Sequence, residues 1–168
     1  MKKKYILLSI PALLLLLWLG WYFSDKQIIK RQLTELTQNL TKEKDEPTLE
    51  TGLKLREVKQ MLASEIDALI PERNYSQTHQ RDMIIRYLMY YRDRYDTLTV
   101  SFESLLIELP AKGEAAVAAT VLMRRKGPQN GLEELSGPVE FLLKKDKEEK
   151  AGRKWKLVQG TVPATFIE

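Results

Sequence analysis

The sequence predicts an α+β domain behind one N-terminal transmembrane helix, with three helices packed on a bent antiparallel sheet of about four strands. Three observations carry this. Nineteen uncharged residues, 5–23, lie near the start of the chain. Apolar residues then recur at helical spacing as far as Tyr95, and beyond Tyr95 their period falls to two, the period of strands. Helices followed by consecutive strands joined by turns are the order of α+β proteins, in which helices cover one face of an antiparallel sheet.

As a helix rising about 1.5 Å per residue, residues 5–23 span about 28 Å, close to the hydrocarbon thickness of a bilayer. A cleaved secretory signal has a shorter apolar stretch and a small-residue cut site. Here the run ends Trp18, Leu19, Gly20, Trp21, Tyr22, Phe23. Trp18, Trp21 and Tyr22 at one end and Tyr5 at the other have the placement of interfacial aromatic belts, and Pro11 is tolerated within a membrane helix. The segment is therefore expected to stay as an anchor in the inner or plasma membrane. Lys2, Lys3 and Lys4 precede it and Lys26, Lys30 and Arg31 follow it. A short basic tail ahead of the first apolar segment is the signal-anchor arrangement, which exports the downstream domain to the extracytoplasmic side, although the flanking charges are nearly even. Residues 1–24 form tail and anchor, and residues 25–168 a single soluble domain.

In the soluble part, Ser24 and Gln27 have capping-box spacing, and Ile29, Leu33, Leu36 and Leu40 form one stripe, predicting a helix over residues 26–42. After the break at Pro47, Leu55, Val58, Leu62 and Ile66 predict a second helix over residues 49–66. Residues 67–77 read as an irregular crossing, with a brief strand over residues 66–70. Thr78 is placed to cap a third helix, whose stripe of Ile84, Leu88, Tyr91 and Tyr95, widened by Met83, Tyr87 and Tyr90, should be pressed deepest into the core. Leu98, Val100 and Phe102 alternate in one phase and Leu105, Ile107 and Leu109 in the other, which calls for a bulge near residues 103–105. Ala115, Val117, Ala119, Val121 and Met123 share one face of the next strand. Residues 127–138 read as a long turn-rich connection. Val139, Phe141 and Leu143 then alternate up to a charged hairpin tip, and Trp155 and Leu157 share a face of the last strand.

Composition narrows the chemistry. The net charge of +4 and pI near 9.2 owe much to the N-terminal lysines, without which 24 basic residues face 23 acidic ones. That balance gathers no polyanion, so nucleic acid is excluded as a partner. The chain has no cysteine and one histidine, which rules out disulfides and the usual zinc site. Neither a phosphate-binding loop nor a dinucleotide fingerprint occurs. No metal or other cofactor is expected.

Three stretches carry a resemblance: "YYRDRYDTLTVSFESLLIEL", where a helix runs into a bent strand, then "GEAAVAATVLMRR", and the closing "GRKWKLVQGTV". Over residues 26–163 the chain resembles the nuclear transport factor 2-like superfamily, a cone-shaped α+β fold shared by isomerases, cyclases and bacterial binding domains. An anchor followed by such a domain is also similar to the inner-membrane assembly subunits of type IV secretion systems and to related mycobacterial envelope proteins.

The fold hosts many functions and names none. Enzymes of the family place an acid or base inside the cone, which makes Asp67 and His79 the candidate polar groups, and Asp82, Glu103 and Glu140 weaker ones. Tyr87, Tyr91, Phe102, Phe141 and Trp155 are candidates to line a pocket, although core packing is the simpler account of them. Two functions follow. The first is a non-enzymatic, membrane-anchored binding or assembly domain of the bacterial envelope, tethering an envelope protein or a second copy. The alternative is a small hydrophobic-ligand binding protein or isomerase-like enzyme that uses the cone interior.

Overall fold

The computed structural model describes residues 24–128, 131–146 and 155–166. The expected span over residues 5–23 lies outside these, as does the charged hairpin tip. Among the described residues no helix is long and apolar enough to cross a membrane.

Helix α1, Asp25–Leu40, leads. It carries the most deeply buried helical stripe: Ile29, Leu33 and Leu36 are all buried, Ile29 completely. Each such side chain contributes about 1.5–3 kcal/mol relative to exposure. Ser24 stands at its N-cap but makes no side-chain capping bond, so the capping-box expectation fails. Helix α2, Thr48–Met61, buries Leu55, Val58 and Met61. It stops five residues short of the predicted end. Leu62–Ile70 is instead strand β1, which pairs antiparallel with β2, Tyr75–Gln80. The reversal between them is a 3-10 turn, Pro71–Arg73, closed by Asn74 in the left-handed region (φ 48°).

Helix α3, Arg81–Asp93, therefore starts after Thr78, whose hydroxyl bonds Asp67 rather than capping a helix. The expectation that α3 lies deepest is also corrected. Its only fully buried residue is Arg92, and Met83, Tyr87, Met89 and Tyr90 are exposed. Only Ile84, Ile85 and Leu88 reach the core.

The strands β3, Thr97–Ala111, β4, Glu114–Lys126, β5, Leu132–Lys145, and β6, Trp155–Thr161, follow. The sheet has six strands, not four, in the order β2-β1-β6-β5-β4-β3. It is not wholly antiparallel, because β1 and β6 run parallel. The β3 bulge falls between Phe102 and Ser104, where the phase change required it. It keeps Val100 and Phe102 on the same face as Leu105 and Ile107. Much of the expected connection over residues 127–138 is the first half of β5, paired with β4 from Leu132 onward.

The helices cover the inner face of the sheet. There Ala115, Val117, Leu143, Trp155 and Leu157 join the stripes of α1 and α2 in one core. A polar knot holds the helix ends together. The last carbonyls of a helix have no partner within it, and those of Asn39, Leu40 and Thr41 accept from the Arg92 guanidinium at 2.8, 2.8 and 3.2 Å. Arg92 also pairs with Glu46 at 2.5 Å, both side chains being 1% exposed. Glu46 in turn accepts from Lys54 and Thr51. Burial alone would raise the Glu46 carboxyl, but the bonds from Lys54 and Thr51 and the charges of Arg92 and Lys54 outweigh it and hold the group below its ordinary value.

Candidate functional site

Alternation along β3, β4 and β5 places Val100, Phe102, Leu105, Val121, Met123, Val139 and Phe141 on the inner face, in matched cross-strand positions. Ala119, Val121 and Val139 form a second, smaller cluster here, joined by residues after β6, Val162 and Phe166. The cluster is not sealed, since Val100, Phe102, Leu105, Leu135 and Phe141 are each only partly buried. Phe102 and Phe141 meet edge to face, with centroids 6.2 Å apart. Gly160 lies against the Phe141 ring, which a Cβ there would meet at 3.8 Å, and Gly137 lets Pro163 and Phe166 pack closely on β5, since a Cβ there would meet Pro163 at 3.0 Å.

A polar pair borders this apolar floor. Tyr91 on α3 reaches the sheet, where its hydroxyl accepts from Arg125 Nη1 at 2.7 Å and lies 3.7 Å from Met123 Sδ. Arg125 is itself fixed by Glu133 at 2.8 Å and by the Tyr95 ring, 5.2 Å from its guanidinium carbon. Burial pushes the Tyr91 phenol up, and the opposing effect of Arg125 does not reverse it; the hydroxyl stays protonated at neutral pH. Its hydrogen faces a thioether, a weak acceptor. A carbonyl oxygen brought to the same place would be a better partner.

The other expected pocket residues are dispersed. Trp155 is 1% exposed and packs in the main core. Tyr87 is 58% exposed on the outside of α3. His79 sits on β2, not at a helix start. Its Nε2 lies 2.7 Å from the Tyr75 hydroxyl, which donates to Gln77 Oε1 at 3.0 Å. With that hydrogen committed, the imidazole supplies the Nε2–H, and its ring meets the edge of Tyr87 at 6.3 Å. Asp67 stands opposite Thr78 and so projects from the other face than His79, which stands opposite Ile66. Its carboxylate accepts from Thr78 at 2.6 Å in an exposed position. Asp67 is therefore a hairpin surface residue. Asp82 pairs with Lys59, and Glu103 and Glu140 are exposed. Of the expected set the structure brings Phe102 and Phe141 together, while Tyr91 stands with Arg125 and Met123 further along the same face, toward the other end of β4.

The outer face holds a shallow trough of about 340 Å³. Ser104, Leu106, Ala118, Thr120, Pro138 and Glu140 line it, and Ser104 Oγ bonds Thr120 Oγ1 at 3.0 Å across it.

No family model matches the chain, and no curated protein matches it. Solved structures do. A candidate scytalone dehydratase from Novosphingobium aromaticivorans DSM 12444 superposes with a TM-score of 0.64 at 15% identity, over 82% of this chain and 81% of that one. A candidate dehydratase of the nuclear transport factor 2-like family from Streptomyces avermitilis gives 0.62 at 9% identity, over 83% and 94%. The described domain has the nuclear transport factor 2-like fold. A protein from Nostoc punctiforme with a cystatin-like fold gives 0.58 at 12% identity, over 83% and 90%. At such identities the likeness is one of fold. In the nuclear transport factor 2-like cone of this chain, the half-covered region is the inner face of β3, β4 and β5.

Proposed function

We propose that the domain binds a small, largely apolar molecule carrying an oxygen acceptor, on the inner face of β3, β4 and β5. The observation that carries this reading is the incomplete burial of Val100, Phe102, Leu105 and Phe141 on the face where a core should be close-packed. Apolar walls with a few fixed polar groups are the usual composition of small-molecule sites. The Tyr91 phenol, polarised by Arg125, is the group that meets the oxygen. Two of the similar structures are candidate dehydratases, and this favours the cone-interior reading over tethering alone.

Titration of the full-length chain with aromatic ketones, followed by methyl NMR, tests it. Shifts are expected at Val100, Leu105, Val121 and Val139, and Tyr91→Phe should weaken binding about fivefold, the worth of one hydrogen bond. Shifts confined to Leu106 on the outer face would sink the reading.

The membrane span over residues 5–23 is part of the same proposal, with the domain on the extracytoplasmic side. Its support is the length, aromatic flanks and missing cut site of that segment. Resistance to alkaline carbonate extraction, and digestion of the domain by protease added to spheroplasts, are the expected results. A second reading, assembly with an envelope protein or another copy, is favoured by Leu106, 59% exposed beside the outer trough. Crosslinking in native membranes should then return a reproducible partner through Leu106.

A further inference from the structure

We infer that the end of the domain where α1 begins is a docking surface for anionic lipid headgroups, so that the domain lies against the bilayer and does not hang from it. This rests on the membrane span proposed above.

Three parts of the chain meet at that end. Asp25, the first residue of α1, is held by Lys145 at the end of β5, with Nζ 2.9 Å from Oδ1. The Lys145 backbone N–H donates to the Gly113 carbonyl, in the turn between β3 and β4, at 2.9 Å. Lys144 stands 3.7 Å from Glu114, the first residue of β4. Around this junction Lys26, Lys30, Lys112 and Lys144 are exposed. Lys26 and Lys30 are one turn apart on the same side of α1. Counting the paired groups as well, Lys26, Lys30, Lys112, Lys144 and Lys145 face Asp25, Glu114 and Asp146, so the end keeps an excess of positive charge.

The short distance to the span turns this basic end into a lipid contact. The uncharged run ends at Phe23, and α1 starts at Asp25. Ser24 alone separates them, with extended backbone at φ −63° and ψ 146°, which amounts to about 3.5 Å of chain. No linker exists to hold the basic end away. Electrostatic attraction reaches about 8–10 Å at physiological salt, and Lys26 lies within that of the end of the span. A lysine near an anionic surface contributes roughly fivefold to association. The four together favour the docked orientation over free rotation about Ser24.

The full-length chain has no cysteine, so one nitroxide can be placed at Ala111→Cys, in the docking end, or at Leu132→Cys, at the opposite end of β5. The chain is inserted into nanodiscs of phosphatidylcholine, with or without phosphatidylglycerol, containing a nickel-chelating lipid. Broadening by headgroup nickel is expected at Ala111→Cys and not at Leu132→Cys. It should appear in the phosphatidylglycerol discs, fall several-fold in high salt, and fall likewise in a K26Q/K30Q/K112Q/K144Q variant. Equal broadening at the two positions, or broadening that ignores lipid charge and salt, would overturn the proposal. If alkaline carbonate extracts the chain from both kinds of membrane, the span itself is absent and the inference falls with it, a result separable from failure of docking in an inserted chain.

Discussion

Replacing Arg92 with Met is expected to destabilise the domain by about 3–5 kcal/mol, the range for breaking a buried ion pair by removing one partner. The substitution leaves the Glu46 carboxylate buried with Lys54, Thr51 and the Glu43 N–H but without the guanidinium, and strips the carbonyls of Asn39, Leu40 and Thr41 of their shared donor. Denaturant melts of R92M, E46Q and the double variant would show the coupling. The double variant should lose clearly less than the sum of the singles, because once Glu46 is neutral there is no buried charge to orphan. A loss below about 1 kcal/mol for R92M would show that the knot is not what joins the three helices.

The same carboxylate sets an acid limit. Its folded pKa is held below the ordinary value of 4.5. Its contribution is therefore fully present above that value and is lost as pH falls through the folded pKa. Stability measured from neutral pH down into the acid range should decline, and E46Q should show a flatter decline. Equal slopes would assign the acid sensitivity to other groups.

Trp155→Ala is expected to cost about 3–5 kcal/mol, as for large aromatic residues removed from cores. The indole is the largest fully buried side chain and packs among the residues of α1, α2 and β1. Trp155→Phe should cost much less, since it fills most of the volume and removes an indole N–H that has no hydrogen-bond partner among the described residues. Thermal melts distinguish this from the pocket-lining role expected from the sequence, under which the alanine variant would keep its stability and enlarge the site.

These residues show where the sequence could be read and where it could not. The second helix ends earlier than its stripe suggests because Leu62 and Ile66 follow Val58 every four residues, a spacing that suits one face of a helix and, being even, one face of a strand equally. β2, "YSQTHQ", offers no apolar alternation to betray it. The β3 bulge was legible, because a strand cannot change phase between Phe102 and Leu105 without an extra residue. Arg92 leaves no local signal, because charged residues in "YYRDRYD" look like a solvated face and nothing nearby in the sequence shows that α1 ends against it. Arg125 did leave a signal: it continues the odd-numbered face of Val121 and Met123, and alternation alone would have sent it inward. The candidate site was thus half legible, its apolar half by period and its polar half by a parity that went unused.

The parallel pairing of β1 with β6 has a consequence for synthesis. Leu62 and Leu157 are register partners, and the core that receives Ile29 and Leu33 contains Trp155. Until the ribosome has made that last strand, the first two helices have no complete surface to rest on. Contacts of such long sequence separation form slowly. Until then the apolar stripes of the nascent domain are incompletely covered, a consequence of the place of a single strand.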